Sequence, residues 1–177
     1  IGAVNTIANR GGRLVGYNTD AFGFIESLKR DGGMDILPAK VALLGAGGAA
    51  RAILYALLER SEVECVLLLN RTVEKAEALA ADLDRHGRVE VGAMADGRVG
   101  DAGLVINSTS VGMHPHEGVS PLVDASVLKA DMLVADIVYK PQKTQLMQQA
   151  EAVGAKSING LGMLAWQGAR SFEIWTG

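Results

Sequence analysis

Apolar and polar positions follow two different rhythms along the chain. Residues 1–17 carry two short extended runs, IGAVNTIA and RLVGY, on either side of the turn NRGG. Adjacent glycines supply the positive φ of a tight turn, so this stretch predicts a β-hairpin. NTDAFGFIESLKRDGG follows, with Thr19 or Asp20 at its start, Phe24, Ile25 and Leu28 on one side and Gly32 beyond its end. That is the pattern of an amphipathic helix.

From residue 40 strands and helices alternate. KVALLG leads into a helix over 48–60, CVLLLN into one over 73–85, and short strands are expected around RVEVGAM and GLVINST. MLVADIVY precedes a helix near 143–153, AKSING is a brief strand, and GMLAWQGARSFEIW is a closing helix. The runs at 41–44, 65–69 and 132–138 are apolar on both sides, as in strands covered by helices on both faces of a parallel sheet. The expected fold class is therefore α/β, a Rossmann-like doubly wound parallel sheet. Two glycines and a proline between Gly32 and Pro38 mark the expected hinge in front of it.

Composition narrows the classes. A chain of 177 residues, 49% of them hydrophobic, fits one well-buried domain and part of a second. The net charge of −3, from 17 basic and 20 acidic residues, supplies no broad field for nucleic acid or an anionic membrane. No apolar run approaches the roughly 20 residues of a membrane helix. IGAVNTIANR is not a basic segment followed by an apolar one, so no targeting signal is read. Cys65 is the only cysteine and lies in a strand, which leaves no disulfide framework and makes a cytoplasmic location the expectation. A beginning at Ile1, within strand-like sequence, predicts a segment upstream.

The stretch VALLGAGGAARA, residues 41–52, ends a strand and opens a helix with Gly45, Gly47 and Gly48 between them. Glycines let peptide N–H groups approach a pyrophosphate, and the helix N-terminus adds a favourable dipole. Ala50 stands where the dinucleotide fingerprint has its third glycine, a replacement it tolerates. A glycine triplet also occurs in plain turns; the strand before and helix after favour the dinucleotide. NAD-binding domains place an acidic residue about 20 positions on, against the ribose 2′-hydroxyl. Here the second strand runs into Asn70, Arg71 and Thr72, with Lys75 one helical turn away. A guanidinium pairs with a 2′-phosphate that a carboxylate would repel, so NADP is the expected cofactor. The plainer alternative is a solvated Arg71 and a Thr72 that caps the helix.

These segments together resemble the shikimate dehydrogenase family. GAVNT at 2–6, GYNTD at 16–20, GAGGAARA at 45–52, NRT at 70–72, NSTSVGM at 107–113, DIVYKPQKT at 136–144 and NGLGMLAWQGARSFEIW at 159–175 occur in the family's order. The resemblance implies NADP-linked interconversion of 3-dehydroshikimate and shikimate in aromatic amino-acid biosynthesis. It implies substrate contacts from Asn5, Asp20, Tyr139 and Gln167, and a phosphate loop of Gly45, Ala46, Gly47, Gly48 and Ala49. Asn70, Arg71, Thr72 and Lys75 would surround the 2′-phosphate. Thr109, Ser110, Val111, Gly160 and Met163 would line the cofactor. Asp20 would be the catalytic aspartate, paired with a lysine whose motif lies upstream of this chain; Lys29 and Lys40 stand in no such motif. The same resemblance divides the chain into 1–34, the tail of a smaller α/β substrate-binding domain and a linking helix, 35–160, the NADP-binding domain, and 161–177, a returning helix.

Plainer readings stand beside several of these. Asp20 alone reads as a helix N-cap, Asn5 as a turn residue, Gln167 as a solvated helix position, Tyr139 as packing and Met163 as core filler. MHPHEG, with His114, His116 and Glu117, reads as a proline-containing loop, and His86 as a helix end before Gly87; no metal site is expected. A quinate/shikimate dehydrogenase and a non-catalytic NADP-binding module are the competing functions. Glutamyl-tRNA reductases share the cofactor motifs, but GAVNT and GYNTD argue against them. The expected partner is a small-molecule substrate, with neither nucleic acid nor membrane; the chain admits a homodimer.

Overall fold

The computed structural model describes residues 1–177. β1 (Thr6–Arg10) and β2 (Arg13–Tyr17) form an antiparallel ribbon with Thr6 opposite Tyr17 and Arg10 opposite Arg13. α1 (Asp20–Arg30) follows, and its N-cap is Thr19. Asp20 is thus not the cap that its bare sequence context suggests; it is the first helical residue, and its carboxylate is engaged elsewhere.

Six strands make the main sheet: β3 (Lys40–Leu44), β4 (Cys65–Leu69), β5 (Val89–Gly92), β6 (Leu104–Asn107), β7 (Leu133–Asp136) and β8 (Lys156–Ile158). Their order is β5-β4-β3-β6-β7-β8 and every pairing is parallel. This is a doubly wound sheet whose order reverses between β3 and β6, the place where such folds bind ligands beyond the carboxyl ends of the strands. The connecting helices are α2 (Gly48–Leu58), α3 (Val73–Leu83), α4 (Gln145–Ala152) and α5 (Leu161–Thr176). None is long and apolar enough to cross a membrane.

Alternation along each strand divides the core in two. Val41, Leu43, Val66, Leu68, Leu104 and Ile106 face α1, α2, α3 and the start of α5. Ala42, Leu44, Leu67, Leu69, Val105 and Val134 face α4 and two short 3-10 turns at Gly97–Asp101 and Ala125–Val127. Truncating a side chain such as Leu43, fully buried here, to alanine costs about 2–5 kcal/mol.

Packing is continuous across the expected hinge. Phe24, Ile25 and Leu28 of α1 and Leu37 beyond it join the same apolar cluster as the sheet, and Lys156 Nζ donates to the Gly32 carbonyl at 2.6 Å.

Some element ends differ from the sequence pattern. α3 stops at Leu83 because Asp84 leaves the helical conformation and its carboxylate accepts the Val89 and His86 amides. β7 stops at Asp136, short of its apolar run to 138, and β6 stops at Asn107, short of the GLVINST stretch expected for it. In each, the last side chain accepts the amide two residues on, Thr109 at 3.0 Å and Val138 at 3.0 Å, and that Asx turn carries the backbone out of the sheet.

Candidate functional site

Beyond the carboxyl ends of β3 and β4 the chain builds a site mostly from backbone. Gly45 leaves β3 at φ 107°, where a Cβ would lie 2.7 Å from Ser108 Oγ; a side chain there is both strained and obstructed. Gly47 and Gly48 differ: a Cβ on either meets nothing within 4 Å. They border open space over the first turn of α2, which has no acidic residue and no capping side chain. The free N–H groups of that turn, from Gly48 and Ala49 onward, suit an anion.

At the end of β4 the Asn70 side chain donates to the Thr72 carbonyl at 2.7 Å and fixes the turn. Thr72 occupies the N-cap of α3 but makes no side-chain capping bond, so the plainer reading of this threonine accounts for its place and not for its hydroxyl. Arg71 and Lys75 are exposed, and neither enters any of the ion pairs that engage other surface cations.

On the other side of the strand-order reversal lies a cavity of about 500 Å³. Ser108–Ser110, Met113 and His114 form one wall and Ile137–Lys140 the other. Tyr139 is 50% exposed there and so is not a packing tyrosine. Val111 stands behind the first wall, its amide held by Thr109 Oγ1 at 3.1 Å. Gly160 abuts the second: its amide donates to the Val138 carbonyl at 3.1 Å, and a Cβ would fall 1.8 Å from the Ile137 oxygen. Met163, one turn into α5, is buried in the main apolar cluster.

Three more of the anticipated residues meet at the ribbon. Asn5 donates to Asp20 Oδ1 at 2.8 Å and to Thr19 Oγ1 at 3.0 Å, and it accepts the Thr19 amide at 2.9 Å. Burial pushes the Asp20 carboxyl above its usual range, and the Asn5 hydrogen bond pulls it partly back. Beneath them lie three buried hydroxyls: Thr6 and Ser171 2.6 Å apart, Thr19 and Ser171 3.1 Å apart. Thr19 Oγ1 also reaches Gln167 Oε1 at 3.4 Å. The cluster joins β1, the start of α1 and the middle of α5, and so places Asn5, Asp20 and Gln167 on one surface.

Sequence patterns miss Thr6, Thr19 and Ser171 as parts of the site, as they do Ile137, Val138 and His114. NTD and DIVY contain or border some of them, yet only the folded chain shows which atoms meet. His114 contributes to the cavity wall, with Nδ1 3.0 Å from Glu117 Oε1. A second hollow, about 480 Å³, lies by Arg51, Tyr55, Asp82 and Arg88. Its polar groups already serve the fold: Arg51 pairs with Asp82 at 2.6 Å, and Arg88 donates to the Arg60 and Val63 carbonyls, both at 2.9 Å.

Residues 28–152 match the family described as shikimate / quinate 5-dehydrogenase, and residues 160–177 match the shikimate 5′-dehydrogenase C-terminal domain. The protein called shikimate dehydrogenase (NADP(+)) in Carboxydothermus hydrogenoformans is 44% identical over 180 residues, covering 100% of this chain and 63% of that protein. A crystal structure of a shikimate dehydrogenase in complex with NADP+ superposes with TM-score 0.90 at 42% identity, over 99% of this chain and 62% of that one. Quinate dehydrogenase from Corynebacterium glutamicum in complex with NAD has the same TM-score, 0.90, at 31% identity, over 99% of this chain and 63% of that one. The chain thus spans about 63% of the length of the curated relatives it matches. With these matches, the chain belongs to the shikimate/quinate 5-dehydrogenase family.

Proposed function

We propose that this chain is the cofactor-binding part of an NADP-dependent shikimate dehydrogenase, with one edge of the substrate site attached. The whole enzyme reversibly reduces 3-dehydroshikimate to shikimate in aromatic amino-acid biosynthesis. The observation that carries the choice of cofactor lies at the end of β4, where Asn70 stands in the place of an NAD site's carboxylate and Arg71 beside it is exposed and free of ion pairs. Backbone likeness does not separate NADP from NAD, since the NADP+ and NAD structures superpose equally well; the charge at Arg71 does.

The residues present fit a dinucleotide: Gly47 and Gly48 leave space that side chains would fill, and the cavity at Tyr139 is of ligand size. The loop from Gly45 to Ala49 would hold the pyrophosphate with its amides beyond Gly45, whose own N–H donates to the Leu69 carbonyl at 2.7 Å. Asn70, Arg71, Thr72 and Lys75 would hold the 2′-phosphate. Thr109, Ser110, Val111, Gly160 and Met163 would border the nicotinamide end. Bound NADP supplies the hydride acceptor or donor.

Asn5, Asp20, Tyr139 and Gln167 would hydrogen-bond a polyhydroxylated substrate, and a site of this kind rejects analogues that lack a hydroxyl. Asp20 Oδ1 is held by Asn5, while Oδ2 has no protein partner. That oxygen is free for the lysine that the family pairs with this aspartate to move the proton of the reacting hydroxyl. Residues 1–34 then close the substrate-binding domain and supply the linking helix, 35–160 bind NADP, and 161–177 return to the substrate side. Cys65, free and alone, supports a cytoplasmic setting.

Assaying the full-length protein with shikimate and quinate, each against NADP+ and NAD+, tests the proposal. Shikimate with NADP+ is expected to give the highest kcat/KM. Quinate turnover equal to or above it selects the quinate/shikimate alternative, and NADP binding without turnover of either acid selects a non-catalytic module.

A further inference from the structure

β6 and β7 end side by side in a buried polar knot that neither the sheet nor the chemistry above requires. Asn107, Asp136 and Thr144 are 0%, 1% and 0% exposed. Asp136 Oδ1 accepts Asn107 Nδ2 at 2.9 Å and the Val138 amide at 3.0 Å, and Oδ2 accepts Thr144 Oγ1 at 2.7 Å. Asn107 Oδ1 in turn accepts the Thr109 amide at 3.0 Å and the Thr109 hydroxyl at 2.7 Å, and Asn107 Nδ2 also reaches the Val111 carbonyl at 3.3 Å. Thr144 Oγ1 accepts the Met147 amide at 3.3 Å and so caps α4.

Three donors and no cation surround Asp136. Burying a carboxylate without a counter-charge is costly even when it is hydrogen-bonded. Burial pushes this carboxyl upward, against the hydrogen bonds from Thr144, Val138 and Asn107. The sheet does not need it: β6 and β7 are already paired by backbone from Leu104–Leu133 to Asn107–Asp136. What the knot adds lies beyond the last pair. Through Thr109 and Val111 it holds one loop, through Val138 and Thr144 the other, and these loops form the two walls of the cavity.

We propose that Asp136, with Asn107 and Thr144, is the positioning group that sets the separation of those two walls and so fixes the pocket for the nicotinamide end of the cofactor. This rests on the NADP reading above. A knot that acts on the walls alone leaves the glycine loop and Arg71 as they are.

The test uses this chain, two nucleotides and amide exchange. NADPH carries a nicotinamide; adenosine 2′,5′-bisphosphate carries the adenosine with its 2′- and 5′-phosphates and no nicotinamide. Asp136→Asn places an NH2 group among donors, Thr144→Val removes a hydroxyl at nearly constant shape, and Thr144→Ser keeps it. The first two are expected to weaken NADPH about tenfold, close to 1.4 kcal/mol, with the bisphosphate unchanged and faster exchange at Thr109, Val111 and Val138. Thr144→Ser is expected to behave as wild type. Equal weakening of both nucleotides, or unchanged exchange at these amides, overturns the proposal. Should Asp136→Asn fail to fold, Thr144→Val against Thr144→Ser decides. A wild-type chain that binds neither nucleotide defeats the cofactor reading and the nicotinamide role with it, while the exchange rates still judge whether the knot holds the walls.

Discussion

At the glycine loop, the groups that would face a ligand are backbone amides that follow one another along the chain. At Asn5, Asp20 and Gln167 they are side chains, seated on hydroxyls from residues up to 165 positions apart, as in the Thr6–Ser171 bond. The first kind of site depends on a strand, a turn and a helix N-terminus, all fixed locally by glycine and by apolar pattern. The second depends on helix α5 returning to the ribbon, and hence on the whole fold. The two are therefore expected to fail differently under mutation: the glycine loop through backbone strain, the ribbon site through desolvated hydroxyls left without partners.

The largest effect is expected from Gly45→Ala. Its φ of 107° and a Cβ 2.7 Å from Ser108 Oγ should together cost about 2–4 kcal/mol, visible as a lower unfolding midpoint and loss of NADPH binding. A midpoint equal to wild type would show that the loop has freedom the comparison denies it. Arg71→Ala comes next. Loss of charge-assisted hydrogen bonds worth about 1.5–3 kcal/mol should raise the NADPH Kd about 10- to 100-fold and leave NADH unaffected; a matching loss for NADH would mean that Arg71 does not read the 2′-phosphate.

Ser171→Ala probes the ribbon site. Thr6 Oγ1, buried and 2.6 Å from Ser171 Oγ, would lose that partner, at a cost of about 1–2 kcal/mol in denaturant unfolding. NADPH affinity should stay at the wild-type value, and a fall in it would join the two sites that the comparison separates.

The smallest effect is a pH dependence. Burial raises the folded-state pKa of Asp20, so the folded chain holds its proton more tightly than the unfolded one. Stability from this group is then fully present below the ordinary aspartate pKa of about 3.9 and declines as pH rises through the folded pKa. Asp20→Asn removes that decline while keeping an acceptor for Asn5. Thermal melts should show the variant gaining on wild type from low pH toward neutral; a constant difference across the range would mean that Asp20 titrates normally.

Much of the cofactor side was legible in the sequence because its signals are local. Glycines fall where β3 gives way to α2, the strands are apolar on both faces, and Asn70 followed by Arg71 stands where a carboxylate would mark NAD. The ribbon site was legible only as motifs. Thr19 rather than Asp20 stands at the N-cap of α1, without a side-chain capping bond, and Asp20 turns to Asn5, a partner 15 positions away that helix-end rules do not anticipate. Thr6 and Ser171 lie inside the GAVNT and ARSFEIW stretches, but nothing there marks them as partners, since a buried hydroxyl and a solvated one look alike until the fold brings them together. Asp136 ended its strand earlier than the apolar run to Val138 suggested, and Asn107 ended its own before the end of GLVINST, because Asx turns compete with continued pairing.

The central claim is that the glycine loop and the Asn70–Arg71–Thr72 turn form a site for NADP. Titration of this chain with NADPH and, separately, NADH, followed by nicotinamide fluorescence on protein whose folding is checked by circular dichroism, tests it most directly. The account predicts saturable binding of NADPH at concentrations where NADH scarcely binds. Equal affinity for the two nucleotides, or no binding of either by the folded chain, would contradict it.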